Sequence, residues 1–171
     1  MTTDTMTRER ADLIETLTEH RSFLERTVQG ITDEQASART TVSELCLGGI
    51  IKHVTHVEDR WADFIVNGST VAGPPDAAAF EAHAATFRME PGDTLAGLLT
   101  RFHEVAARTD ALVASYPSLD DGHPLPPAPW FPPGASWSAR RTIAHIIAET
   151  AQHAGHADII REAIDGQKTM G

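Results

Sequence analysis

Cysteine is nearly absent from this chain: among 171 residues only Cys46 carries a thiol. No intramolecular disulfide can form, and a thiolate zinc knuckle is excluded. Any metal ion has to be held by histidines and carboxylates. Basic residues are also scarce, 14 Lys and Arg against 24 Asp and Glu, for a formal charge of −10 with nine histidines neutral. Such a surface repels a phosphate backbone, which argues against a nucleic-acid partner. No apolar run approaches the roughly eighteen residues needed to cross a bilayer. Met1 to Arg10 lacks the apolar stretch of a secretory signal. The expectation is a cytoplasmic protein with no membrane partner. Segments of β-type alternation and internal repeats are missing as well, which leaves helices to build the fold.

What is present is ordinary for a globular chain, with 41% apolar and 22% charged residues. The length suits a single domain over residues 1–171. Four long helical patterns follow one another. Leu13, Leu17, His20, Leu24 and Val28 recur at steps of three and four between Thr7 and Gln29, with Gly30 as a stop. Thr32 to Gln35 reads as a capping box that starts one short turn. A second stripe of Ile50, Val54, Val57, Trp61 and Phe64 predicts a helix from Ser43 to Asn67, its first turns weakened by Gly48 and Gly49. Residues Gly68 to Gly92 read as a long crossover containing a short helix over Asp76 to Phe87. The third helix opens at Asp93 or Thr94 and carries Leu95, Leu98, Phe102, Val105, Leu112 and Tyr116 until Pro117. The fourth runs from Ser138 to Ile164 with Ile143, Ile146, Thr150, Ala154, Ala157, Ile160 and Ile164 along one side. Fold class is therefore all-α, a four-helix bundle with at least one long connection.

Between the third and fourth helices, PSLDDGHPLPPAPWFPPGASW holds seven of the ten prolines. It is read as an ordered loop, neither helix nor central strand. Packed over the mouth of a bundle, its Trp130, Phe131 and Trp137 could shape a pocket with Trp61, or simply plug it.

Polar groups sit where apolar ones are expected. In Lys52-His-Val-Thr-His56, His53 falls on the stripe of Ile50, Val57 and Phe64, and His56 lies at its edge. Lys52, Thr55 and Asp59 point to the opposite, solvated face. On the last helix, Glu149 and His153 stack four apart on the stripe of Ile146 and Ala157. A buried carboxylate must be neutralised, hydrogen-bonded or bound to a cation. With His53 from a facing helix the set becomes two imidazoles and one carboxylate, the ligand count of a catalytic metal site with open positions. Zinc is the first choice, with nickel or iron as alternatives. His56 and His156 could donate a hydrogen bond to a ligand or replace one. Spacing alone leaves a second reading open, in which Glu149 and His153 are an ordinary helical pair and His53 a satisfied core histidine. Cys46 is read as a small core residue, Asp120-Asp121 as a solvated turn, His145 as peripheral, and His20, His83 and His103 as structural or surface residues.

The segments LCLGGIIKHVTHVEDRW (45–61) and SARRTIAHIIAETAQHAGHADIIREAIDG (138–166) resemble the DinB-like superfamily of metalloenzymes over essentially the whole chain. They are most similar to its actinobacterial branch and to the N-terminal bundle of mycothiol-dependent maleylpyruvate isomerases. The resemblance implies a DinB-like four-helix bundle, often a homodimer, with a divalent metal held at His53, Glu149 and His153. Many members carry histidine where this chain has Glu149, whereas those isomerases share the His-Glu-His set, which favours zinc and thiol chemistry. The chain ends at Gly171 without the isomerases' additional C-terminal domain, so isomerase activity itself is not expected. The expected function is a thiol-dependent S-transferase that joins a low-molecular-weight thiol, such as mycothiol, to a small-molecule electrophile. A metal-dependent hydrolase and a non-catalytic metal or small-molecule binding protein are the alternatives, and no catalytic residue beyond the ligands is assigned.

Overall fold

Each apolar stripe becomes a helix, and ahead of each but the Ile50–Phe64 stripe a polar residue becomes the cap. The computed structural model describes residues 6–69 and 75–169; part of the Gly68–Gly92 crossover, residues 70–74, lies outside the described residues. The elements are α1 (Arg8–Arg26), α2 (Asp33–Ser37), α3 (Leu47–Asn67), α4 (Ala77–Ala85), α5 (Leu95–Ser115), β1 (Gly122–Pro124), β2 (Ser136–Ser138) and α6 (Ala139–Asp165). Thr7, Thr32, Asp76, Thr94 and Ser138 each accept a hydrogen bond from an amide of the first turn that follows, and at α2 both halves of the capping box form. Among the described residues no helix is long and apolar enough to cross a membrane.

Two boundaries differ from the sequence expectation. The helix expected from Ser43 starts at Leu47, because the Ser43 and Thr41 hydroxyls accept hydrogen bonds from nearby backbone amides and hold a turn that competes with the first helical rungs. The proline-rich segment, expected as loop throughout, is closed at its two ends by an antiparallel ribbon in which His123 faces Trp137. Pairing only three residues a side leaves all the intervening prolines outside the ladder.

The long helices α1, α3, α5 and α6 form a four-helix bundle. Both α1 and α3 pack against α5 and α6, so α1 lies diagonal to α3 and α5 diagonal to α6. Consecutive long helices are therefore neighbours only across the α3 to α5 connection; the other two links cross the bundle end. Covering α3 from two sides buries Thr55, which the stripe had assigned to solvent, and its hydroxyl donates to the Ile51 carbonyl.

The apolar core is divided. One cluster gathers Leu24, Ile50, Ile51, Val54, Phe102 and Ala157. A second gathers Leu17, Ile65, Val113, Ile143 and Ile146. Between them in each helix comes a buried polar residue: Arg21, Glu58, Thr109 and Thr150. Arg21 spans the diagonal from α1 to Glu58 of α3 at 2.6 and 3.2 Å and reaches Asp110 of α5 at 2.8 Å. Burial disfavours the guanidinium charge, and the two carboxylates more than offset it, so its pKa lies above the ordinary value. None of this was expected from the stripes, which assign both positions to no partner.

A buried pair of this kind adds little net stability, but stripping one member leaves the other charged and unpaired at a cost of about 3–5 kcal/mol. Glu58→Ala or Arg21→Ala is expected to lower the unfolding free energy by that order in urea melts. Arg21→Met combined with Glu58→Leu is expected to lose far less; equal losses in single and double variants would contradict the pairing.

Candidate metal centre

The start of α3 is shaped by close approach. Gly48 and Gly49 lie against the segment after α4, and a Cβ on Gly49 would stand 1.9 Å from the Phe87 carbonyl oxygen. Only glycine lets the two backbones touch there. The contact seats Thr86 and Phe87 against His53. Thr86 Oγ1 donates to the His83 carbonyl at 2.6 Å, which uses its single proton, so at 2.8 Å it accepts from His53 Nδ1. The Phe87 ring stacks on the His53 ring at 3.7 Å. Burial first, and then His153, His83 and His56, lower the His53 pKa to about 3. The imidazole is thus neutral at physiological pH, with its proton on Nδ1 and a bare lone pair on Nε2.

From α6, His153 and Glu149 meet it. Donor atoms of His53, Glu149 and His153 all lie within 4.8 Å of one another. Glu149 is not buried as the stripe implied; its side chain is 29% exposed and sits between His145, at 3.6 Å, and His153, at 3.7 Å. His153 is 9% exposed, and its Nδ1 is buried with no hydrogen-bond partner among the described residues. Burial lowers the His153 pKa, Glu149 opposes that, and His156 adds to it. An orphaned imidazole nitrogen is costly in a protein interior, and two neutral imidazoles with a carboxylate form a donor set suited to a divalent ion. An ion about 2.0–2.2 Å from each donor in a tetrahedral arrangement sets the donors about 3.3–3.6 Å apart. Donors spread over as much as 4.8 Å reach that by closing about 1.2–1.5 Å, a movement on the scale of a side-chain rotation of the partly exposed Glu149.

The remaining expected residues divide. His156 packs edge-on against His153 at 5.4 Å. His56 faces the neighbouring cavity rather than the three donors, and burial together with Arg60 lowers its pKa. Trp61 stacks on Trp137 at 4.9 Å, and both rings meet the edge of His145 at 5.0 Å. His145, read as peripheral, therefore links the tryptophan pair to Glu149. Trp130 is 59% exposed and touches Phe80 of α4. His83, which had no partner by local spacing, lies 5.4 Å from the His53 ring. His103 likewise has a partner from another helix, Glu25 at 3.2 Å, far from the site. Cys46 is buried at the start of α3, as expected.

A cavity of about 550 Å³ opens beside these groups, with Trp61, Phe64, Trp130 and Phe131 on one wall and His56 and His83 on another. His83, on its wall, stands 5.4 Å from the His53 ring.

Comparison with known proteins places this architecture. The family model described as Mycothiol-S-transferase matches residues 12–166, and the chain belongs to that family. The DinB-like resemblance holds at the level of both family and fold. Comparison with curated proteins finds no match. Among solved structures, a conserved protein from Enterococcus faecalis is similar with a TM-score of 0.67 and 14% identity, over 91% of this chain and 96% of that one. YfiT from Bacillus subtilis, described as "a probable metal-dependent hydrolase with an unusual four-helix bundle topology", is similar with a TM-score of 0.64 and 15% identity, over 91% and 88%. At such identities the likeness establishes the fold.

The lowered imidazole pKa values carry a sign. An unfolded histidine takes a proton below about 6.5, while His53 resists until about 3. The unfolded chain therefore binds more protons across that window, and stability falls as pH drops from 6.5 toward 3. In chelator-treated protein, urea midpoints between pH 7 and 4 are expected to decline, and His53→Gln to flatten the slope. An identical slope in the variant would contradict a buried neutral His53.

Proposed function

We propose that the protein is a divalent-metal-dependent thiol S-transferase in which His53, Glu149 and His153 hold the ion. Family membership supports thiol transfer, and the observation that carries the site is that donor atoms of His53, Glu149 and His153 lie within 4.8 Å of one another. The proposed thiol is mycothiol, the proposed ion zinc, and the proposed setting the cytoplasm, with residues 1–171 acting as one domain.

A divalent ion bound there supplies Lewis acidity that lowers the pKa of a thiol ligand. The chain's own residues do the rest. Thr86 fixes the His53 tautomer by holding the Nδ1 proton, so that Nε2 is always the free donor. Phe87 restrains the same ring by stacking. His145 and His153 flank Glu149 and limit where its carboxylate can swing. Trp61 and Trp137 exclude water from the His145 side. The cavity beyond His83 receives the electrophile. In the overall reaction a sulfur–carbon bond forms, the electrophile's leaving group departs with the bonding electrons, and the thiol proton passes to solvent.

Elemental analysis of the purified protein is expected to find about one divalent ion per chain, and His153→Ala to lose most of it, as deletion of one of three protein ligands does. With iodoacetamide as electrophile, iodide release above the uncatalysed rate is expected only when mycothiol is present. Equal metal content in the two proteins would overturn the site; thiol-independent consumption would replace transfer by hydrolysis, and inertness of the metal-loaded protein would favour binding alone.

A further inference from the structure

The chain has ten aromatic residues, three Trp, one Tyr and six Phe, and they are not spread through its core. Trp61, Phe64, Trp130 and Phe131 line the cavity beside the three donors. Phe80 backs Trp130 at 6.5 Å, and Trp137 backs both Trp61, at 4.9 Å, and Phe131, at 5.6 Å. Seven of the ten surround this one place once Phe87, stacked on His53, is added. The two apolar clusters of the bundle are built chiefly from Leu, Ile, Val and Ala. Trp61 packs on the second cluster and Phe64 is itself buried, so core packing accounts for part of the concentration but not for the rings at the cavity rim. Trp130 in particular is 59% exposed, and a large aromatic held at a cavity rim by other rings contributes little to burial in the free protein.

Aromatic faces recognise other aromatic faces: offset or edge contacts add to simple area burial, and a saturated ring of the same carbon skeleton cannot reproduce them. The volume, about 550 Å³, lies within the usual range for small-molecule sites. The three donors lie one residue behind the cavity wall: His83, which lines it, stands 5.4 Å from the His53 ring, and Trp61, which also lines it, meets His145, itself 3.6 Å from Glu149. A flat ring system lying along the aromatic wall would present a substituent at its edge toward His83, the lining residue next to His53.

Building on the proposed transferase, we infer that the electrophile it prefers is a planar aromatic molecule carrying its reactive carbon just outside the ring, stacked between the Trp61 and Trp130 sides of the cavity. For an arylmethyl halide the step balances simply: the thiol sulfur bonds to the methylene carbon, the carbon–halogen bond breaks, halide leaves with the electron pair, and the thiol proton goes to solvent.

The test is binding of two unreactive alcohols to the full-length, metal-loaded protein, followed by tryptophan fluorescence and checked by calorimetry. Naphthalene-1-methanol is planar and aromatic; decahydronaphthalene-1-methanol has the same skeleton without the π face. The wild type is expected to bind the aromatic alcohol about fivefold to tenfold more tightly, the range that one or two ring contacts supply. Trp130→Ala is expected to abolish that preference and Trp130→Phe to restore most of it, with far-UV circular dichroism reporting intact helices in both. Equal affinity for the two alcohols, or a preference untouched by Trp130→Ala, overturns the inference. Metal content and mycothiol-dependent iodide release, measured on the same wild-type preparation, report on the transferase proposal separately, so failure of either can be told from failure of the other.

Discussion

The hydrogen bond from His53 Nδ1 to Thr86 Oγ1 joins the crossover to the bundle, and the character of the site depends on it. It exists because two glycines at the start of α3 allow the Phe87 backbone to come within contact, and because the Thr86 hydroxyl spends its own proton on the His83 carbonyl. The consequence is a buried imidazole with a defined tautomer, held flat by Phe87 and unable to take a second proton at ordinary pH. A freely rotating histidine at the same position would offer either nitrogen and adopt either charge. The site gains a fixed donor because the backbone approach behind it is fixed.

The bundle supplies the opposite wall. Helix α6 presents Glu149 and His153 on the same turn-to-turn row, and the packing of α3 against α6 brings His53 to that row. The divided core keeps the arrangement in register. Arg21, locked between Glu58 and Asp110, ties three of the four long helices across the diagonal, while Arg161 of α6 binds the Thr27 and Gln29 carbonyls at the end of α1. Tyr116 and His123 similarly donate to the Ile65 carbonyl, anchoring the end of α5 and the ribbon to the end of α3.

Much of this is legible in the sequence, for a physical reason. Helical periodicity is a local signal, so the stripes on α1, α3, α5 and α6 and the caps at Thr32, Asp76, Thr94 and Ser138 can be read directly, and so can the inward direction of His53 and His153. What is not legible involves contacts between distant segments. Thr86 lies 33 residues from its partner His53, and His83 gains an imidazole neighbour only when the crossover folds back. The pair Gly48-Gly49 is the one local sign of that return, since consecutive glycines in a first helical turn mark a close backbone approach. Arg21 and Glu58 are invisible for a related reason: charged residues on a stripe look like breaks in it until the two helices meet. The partial exposure of Glu149 follows from how the segments around it pack, which no spacing rule encodes.

The most direct measurement is anomalous diffraction from crystals of the protein grown with zinc, with data collected on both sides of the zinc absorption edge. The account predicts a single strong anomalous peak about 2.0–2.2 Å from one nitrogen each of His53 and His153 and one oxygen of Glu149. A peak at any other place, or well-ordered His53, Glu149 and His153 side chains bonded directly to one another around no ion, would contradict it.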